Sequence, residues 1–289
     1  MATSFEVARN TCHARSKSLP SRSHPLVEGV EEQLSRLRTS SESTTSSSLC
    51  HRLSSLKDLH ESLDNFLQLQ HTKQALSREQ NNKCVEQLLD GSLRLVDVCG
   101  TTRDVFSQMR ECLQELQSTL RRKRGCESGL DNEISAYMFS KKILAKMTRN
   151  LKSNITKNHA SGVLLNRDSD LFSVVTILNE FEEITSEVFQ SLLAFISRPK
   201  TSSRSIVSKL FKFRKISCQG EGDATEIEKM DAELIVLKSS KDIKTEQVKQ
   251  VLKGLESLES NIQELEEELE CMFRHLMKTR VSLLNIFNN

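Results

Sequence analysis

The chain has 289 residues, 37% of them apolar, and carries 41 basic against 39 acidic side chains for a net charge of +2. That length accommodates one or two domains with a core of ordinary size, and the near-balanced charge excludes polyanion binding by bulk field, so any electrostatic function has to be local. One Tyr and no Trp leave almost no platform for stacking bases, which argues against nucleic acid as a partner.

Three prolines and nine glycines are few breakers, so long helices are the default expectation. The eight cysteines (12, 50, 84, 99, 112, 126, 218 and 271) contain no CxxC pair and no secretory signal opens the chain, a pattern that suits reduced thiols in an intracellular compartment. The expected location is the cytoplasm, at most at a membrane surface. The basic, Ser-rich start resembles a transit peptide only faintly, because it lacks an apolar face.

Residues 1–25 have neither helical nor strand periodicity and read as a disordered tail. Within it, "RSKSLP" places Arg15 three residues before Ser18 and Pro20 two after it. This is the arrangement of arginine, phosphoserine and proline that 14-3-3 proteins read: a phosphate adds charge that an arginine cluster in a receptor groove pairs bidentately. The plain alternative is a solvated basic tail. Pro25 then starts a short amphipathic helix near 26–38, with Leu26, Val30, Leu34 and Leu37 on one side, which needs something to dock on. "TSSESTTSSS" (39–48) is expected to be disordered or weakly ordered.

From Leu49 onward a helical period persists through Leu53, Leu56, Leu59, Leu63 and Phe66, resumes at Val85, Leu88, Leu89 and Val96, and continues at Phe106, Met109, Leu113, Leu116 and Leu120. Gly91 and Gly100 are the weak points of this stretch, and Gly100 is expected to end one helix before "TTRD" caps the next. Ser55, with Arg52 at minus three, is a second kinase-like serine that also reads as a helix cap. Ile134, Tyr137, Leu144, Leu151 and Ile155 carry the period further. The segment 171–196 is apolar on more than half its circumference and belongs at the centre of a bundle; Glu180, Glu182, Glu183 and Glu187 bar it from spanning a membrane and are expected on a narrow solvent stripe.

Arg198 to Lys215 holds seven basic residues and no acid. Ile206, Val207, Leu210 and Phe211 share a helical face there, so Lys209, Phe211, Lys212, Arg214 and Lys215 form a candidate surface for anionic lipid or a partner; a linker helix packed on the bundle is the alternative. "RRKR" (121–124) resembles a minimal nuclear import signal but also suits a helix C-terminus. Beyond it, Ile227, Met230, Leu234 and Leu237, then Val248 through Leu276, keep one heptad register broken only at Lys241 and Lys244. Such a stripe, like that of a coiled coil, demands a partner helix, in this chain or in a homodimer. The intramolecular answer is preferred, because the mid-chain helices also have stripes to cover, and the lysines would mark a bend or turn.

No phosphate loop, nucleophile elbow or paired carboxylates appear, and Cys271 with His275 has no second ligand pair, so no catalytic, cofactor-binding or metal-ligating residue is expected. "HARSKSLPSRSHPLVEGVEEQLSRLR", "LSSLKDLHESLDNFLQLQHTKQAL", "LLDGSLRLVDVCGTTRDVFSQMRE" and "LQELQSTLRRKRG" together resemble the plant-specific BYPASS-related proteins. That resemblance implies an all-helical land-plant protein linked to root and shoot development, with no established catalytic residue or cofactor to carry over.

The expectation is therefore all-α: a mostly disordered tail over 1–48 with its short helix, and a single bundle of long antiparallel helices over 49–289 with a basic linker helix at about 198–220. The function expected is a non-enzymatic scaffold or adaptor with a phosphorylatable tail. The alternative is a peripheral protein on anionic lipid.

Overall fold

Capping chemistry sets where the helices begin. In the structure, a computed structural model that describes residues 24–40, 44–78, 82–122, 130–157, 170–197, 224–240 and 245–288, the chain is all-α, with eight helices and no strand among the described residues. Helix α1 (Pro25–Thr39) has proline in its first turn and His24 as N-cap, whose Nδ1 accepts from the Leu26 amide at 3.2 Å. It buries Val30, Leu34 and Leu37 against α2 and α6, which answers what the short helix docks on.

Helix α2 (Ser46–Gln68) starts inside the Ser/Thr tract that the sequence suggested would be weakly ordered. Thr45 caps it by accepting from the Ser48 amide, and the buried Ser46 donates from its amide and hydroxyl to Glu226 at 3.1 and 2.9 Å. Short hydroxylated side chains are favoured caps because they accept from amides that have no helical partner. The last serines of the tract are therefore structural. Ser55 is not a cap: it lies in the helix interior and returns its hydroxyl to the His51 carbonyl.

The helix breaks at Leu69, whose backbone is extended, and α3 (Gln70–Ser77) follows. Helix α4 (Asn82–Arg122) then runs 41 residues through both Gly91 and Gly100, so the expected stop at Gly100 is incorrect. Its reason is packing. A Cβ at Gly91 would fall inside contact distance of the Glu182 carboxylate, while one at Gly100 would meet Phe273 at an ordinary 3.7 Å. The threonines expected to cap a new helix instead bond back to the preceding turn, Thr101 to Asp97 O and Thr102 to Val98 O.

Helix α5 (Leu130–Lys157) and α6 (Asp170–Ser197) follow, and α6 touches α1, α2, α3, α4 and α5. Phe106 of α4 and Phe195 of α6 stack between them, 6.4 Å apart and nearly parallel. Of the α6 glutamates expected on a solvent stripe, Glu183 and Glu187 are exposed, Glu183 meeting Arg38 at 3.5 Å, whereas Glu182 is largely covered and pairs with Arg94 at 2.6 Å.

The C-terminal heptad stripe is carried by two helices, α7 (Glu226–Ser239), opened by a capping box of Thr225 and Glu228, and α8 (Thr245–Asn288). They pack on each other, and Lys241 and Lys244, expected to mark a bend or turn, lie outside the described residues. Along 44 residues α8 buries Val248, Val251, Leu255, Leu258, Ile262, Leu265, Leu269, Met272, Leu276, Leu283 and Ile286, covered by α4 and α2 and, to a smaller extent, by α7 and α3. Its stripe is covered within the chain. Helix α4 is antiparallel to α8, since Arg103 meets Glu270 whereas Arg121 meets Glu256. Helix α2 runs parallel to it: Cys50 lies in the field of Glu264 and Glu268, and Asp64 meets Lys278.

Because Gly100 is interior to α4 and a Cβ there has room, Gly100→Ala should raise stability by about 0.5–1 kcal/mol through lost unfolded-state freedom. A chemical-denaturation curve decides it: a loss of stability would mean that the helix ends there.

Candidate functional site

Two groups of polar side chains sit where apolar ones would be expected. The first lies between α2 and α8. Thr279 occupies a position in the buried α8 stripe and donates to Asp64 Oδ1 at 3.2 Å; its hydroxyl is also 3.5 Å from His60 Nδ1. Lys278 reaches Asp64 Oδ2 at 3.0 Å from the solvent side. The His60 ring meets Phe181 of α6 edge-on, with centroids 4.4 Å apart, and His275 stands 6.1 Å away. His60 Nε2 is buried with no hydrogen-bond partner. Burial, reinforced by His275, lowers its pKa to about 3, so the ring is neutral at physiological pH.

The second lies between α5 and α7, where Lys141 and Asp231 form an ion pair that is nearly inaccessible to solvent. The buried Tyr137 is beside it; burial first, and the Asp231 charge second, hold its phenol well above the usual range.

Around these runs an ordered set of contacts between α4 and α8. Arg103 pairs with Glu270 and lies over the Phe273 ring at 5.2 Å; Arg110 pairs with Glu266 at 2.9 Å, Gln114 and Gln117 share Glu259, and Arg121 pairs with Glu256 at 2.8 Å. At the other end Arg280 of α8 donates to the Leu89 carbonyl and to Ser92 Oγ at 2.6 and 2.9 Å. With Arg94 and Glu182 this makes "LLDGSLR" the place where α4, α6 and α8 interlock around the bare backbone of Gly91.

Chemically these groups are spent on helix register. Burial pushes the Cys50 and Cys99 thiols up to about 12, with Glu264 and Glu268 adding to the effect at Cys50. Neither is a thiolate nucleophile at neutral pH. Among the described residues no three His, Cys, Asp or Glu side chains are placed to hold a metal ion, and no helix is long and apolar enough to cross a membrane.

Of the residues singled out from the sequence, Arg15, Ser18 and Pro20, and Lys209, Phe211, Lys212, Arg214 and Lys215, lie outside the described residues. Ser55 is half-buried in α2, and the Arg52 three residues before it is turned inward, donating to Ser191 of α6 at 2.8 Å. Arg121 of the "RRKR" run is engaged with Glu256, and Arg122 bonds Ser118 and Thr119 of its own helix. His60, Asp64 and Lys141 went unremarked in the sequence. The signal that was available is Thr279, a polar residue falling on a stripe between Leu276 and Leu283.

A helical bundle whose buried polar groups lock one helix against another defines a class of all-α protein held by packing and register. The family model described as Protein BPS1 matches residues 52–286, most of the chain, and the chain belongs to this BYPASS-related family. No curated protein and no solved structure matches it.

Three outcomes follow from the polar groups. Thr279→Val keeps the volume but leaves the buried Asp64 oxygen without its donor, and should cost about 1–3 kcal/mol in chemical denaturation. Asp231→Ala should cost roughly 3 kcal/mol because it strips Lys141 of this buried charge partner, whereas Glu256→Ala at the exposed Arg121 pair should cost under about 1 kcal/mol. His60 binds its proton at about 6.5 when unfolded and at about 3 when folded. Between those values the unfolded state holds the extra proton, so His60 stabilises the fold above pH 6.5 and that contribution is lost as pH falls, by up to about 1.4 kcal/mol per pH unit. Comparing His60→Gln with the parent over this range should show a shallower decline in the variant.

Proposed function

We propose that this protein is a non-enzymatic helical scaffold that acts by binding other proteins, with its N-terminal tail as the regulated element, in the context of root and shoot development that the family resemblance implies. The observation that carries this reading is the use of the interior: every buried polar cluster described above joins one helix to another. None pairs an activated nucleophile with a base. The tail joins the bundle at a fixed point, since Pro25 starts a helix whose Val30, Leu34 and Leu37 are in the core. Ser18 stands seven residues before Pro25 in the sequence, with Arg15 and Pro20 supplying the flanking pattern for a phosphate reader. The inward-facing Arg52 makes Ser55 the weaker of the two serines.

A second reading is attachment to anionic lipid through Lys209, Phe211, Lys212, Arg214 and Lys215, supported by the seven basic residues and absent acids of 198–215.

The scaffold reading is tested by a pull-down with a peptide spanning residues 13–38, synthesised with and without phosphate on Ser18. Retention of a 14-3-3 protein by the phosphorylated form only, lost on Arg15→Ala, is the expected result. Equal retention by both forms would remove the switch.

A further inference from the structure

We propose that the outward face of α5 is a docking surface for an anionic lipid bilayer. Three large apolar side chains stand on it at intervals of four: Phe139 is 66% exposed, Ile143 47% and Met147 41%. On a helix this spacing makes one continuous stripe over rather more than two turns. The other side of the same helix already has its partners, since Ile134, Tyr137, Leu144 and Thr148 are buried and α5 packs on α4, α6 and α7. The stripe is thus surplus to the core, and large exposed apolar residues gathered on one element mark an interaction surface.

Its charge says what it fits. From Ile134 to Lys157 the chain has six basic residues and no acid. Lys141 turns inward to Asp231, while Lys142, Lys146 and Arg149 are exposed and interleave with the apolar stripe. A basic and apolar face of this kind needs a surface that offers negative charge and an apolar interior together, within a side-chain length of each other. The two longest stretches outside the described residues, 1–23 and 198–223, are themselves net basic and do not complement it. A bilayer with anionic headgroups meets both requirements. Phe139, Ile143 and Met147 would enter the headgroup boundary, and the lysine stems would lie along the apolar layer with their ammonium groups among the phosphates. The inference shares its ligand with the second reading but rests on different residues, and it leaves the scaffold reading untouched.

The test is flotation of the full chain with phosphatidylcholine vesicles, alone and with about one third phosphatidylserine. Binding is expected only with phosphatidylserine, weakening as salt screens the charges. Ile143→Asp, and separately Lys142→Glu with Lys146→Glu, should each weaken it at least about tenfold. All three sites are exposed, so circular dichroism should match the parent. The chain has no Trp, so Phe139→Trp gives an independent readout: its emission should shift to the blue with phosphatidylserine vesicles and not with phosphatidylcholine alone. The shift should survive charge reversal at Lys209, Lys212, Arg214 and Lys215. The proposal is overturned by an absence of binding, or by binding that ignores the α5 variants and vanishes on reversal at 209–215, which would leave only the second reading. A doubled mass in solution that Ile143→Asp returns to that of the single chain would overturn it too, by assigning the face to a second copy.

Discussion

A 44-residue helix with one side apolar from end to end cannot stand alone in water, and the bundle is arranged around covering it. Each large apolar side chain that α8 buries contributes about 1.5–3 kcal/mol, and those gains are available only because α4, α2, α3 and α7 together cover it. The consequences spread outward. Helix α4 has to be as long as α8, so it continues through two glycines. Helix α6 closes the far side of α2 and α4, which is why it is apolar over most of its circumference, and α1 completes the cover over α2 and α6.

Apolar packing of this sort is permissive about sliding: a helix moved by one turn still finds leucines. The polar contacts remove that freedom. Thr279 reaches Asp64 at only one axial position, as Arg280 reaches the Leu89 carbonyl. Where they are buried these groups cost more to disturb than they add, so their effect is on which arrangement forms. The same logic accounts for Gly91, whose missing side chain lets the Arg94 and Glu182 pair lie against the α4 backbone.

Much of this was legible beforehand because helical periodicity is a local property. The stripes at Leu49–Phe66, Phe106–Leu120 and Val248–Leu276 appear where the spacing places them. The misreadings share a cause. Gly100 and the threonines after it look locally like a stop and a cap, but neighbouring helices decide that α4 continues, and the hydroxyls bond inward instead. The break at Leu69 has no Gly or Pro to announce it. The polar clusters were invisible for a related reason: His60 and Thr279 are far apart in sequence, and only the parallel course of α2 and α8 brings them together. The exposed stripe on α5 could have been found from Phe139, Ile143 and Met147 at intervals of four, yet periodicity alone does not tell a core face from an outer one once a helix has apolar residues on both.

The parallel course of α2 and α8 also has a meaning in time. Helices α2, α3 and α4 each have a face whose cover, α8, is made much later. Synthesis at roughly 5–20 residues per second takes about ten to forty seconds to pass from Gln68 to Thr245. Through that interval the faces of α2 and α4 that α8 covers are without it. Completion of the bundle therefore waits for α8, and until it emerges the nascent chain presents apolar faces of the kind that molecular chaperones shield.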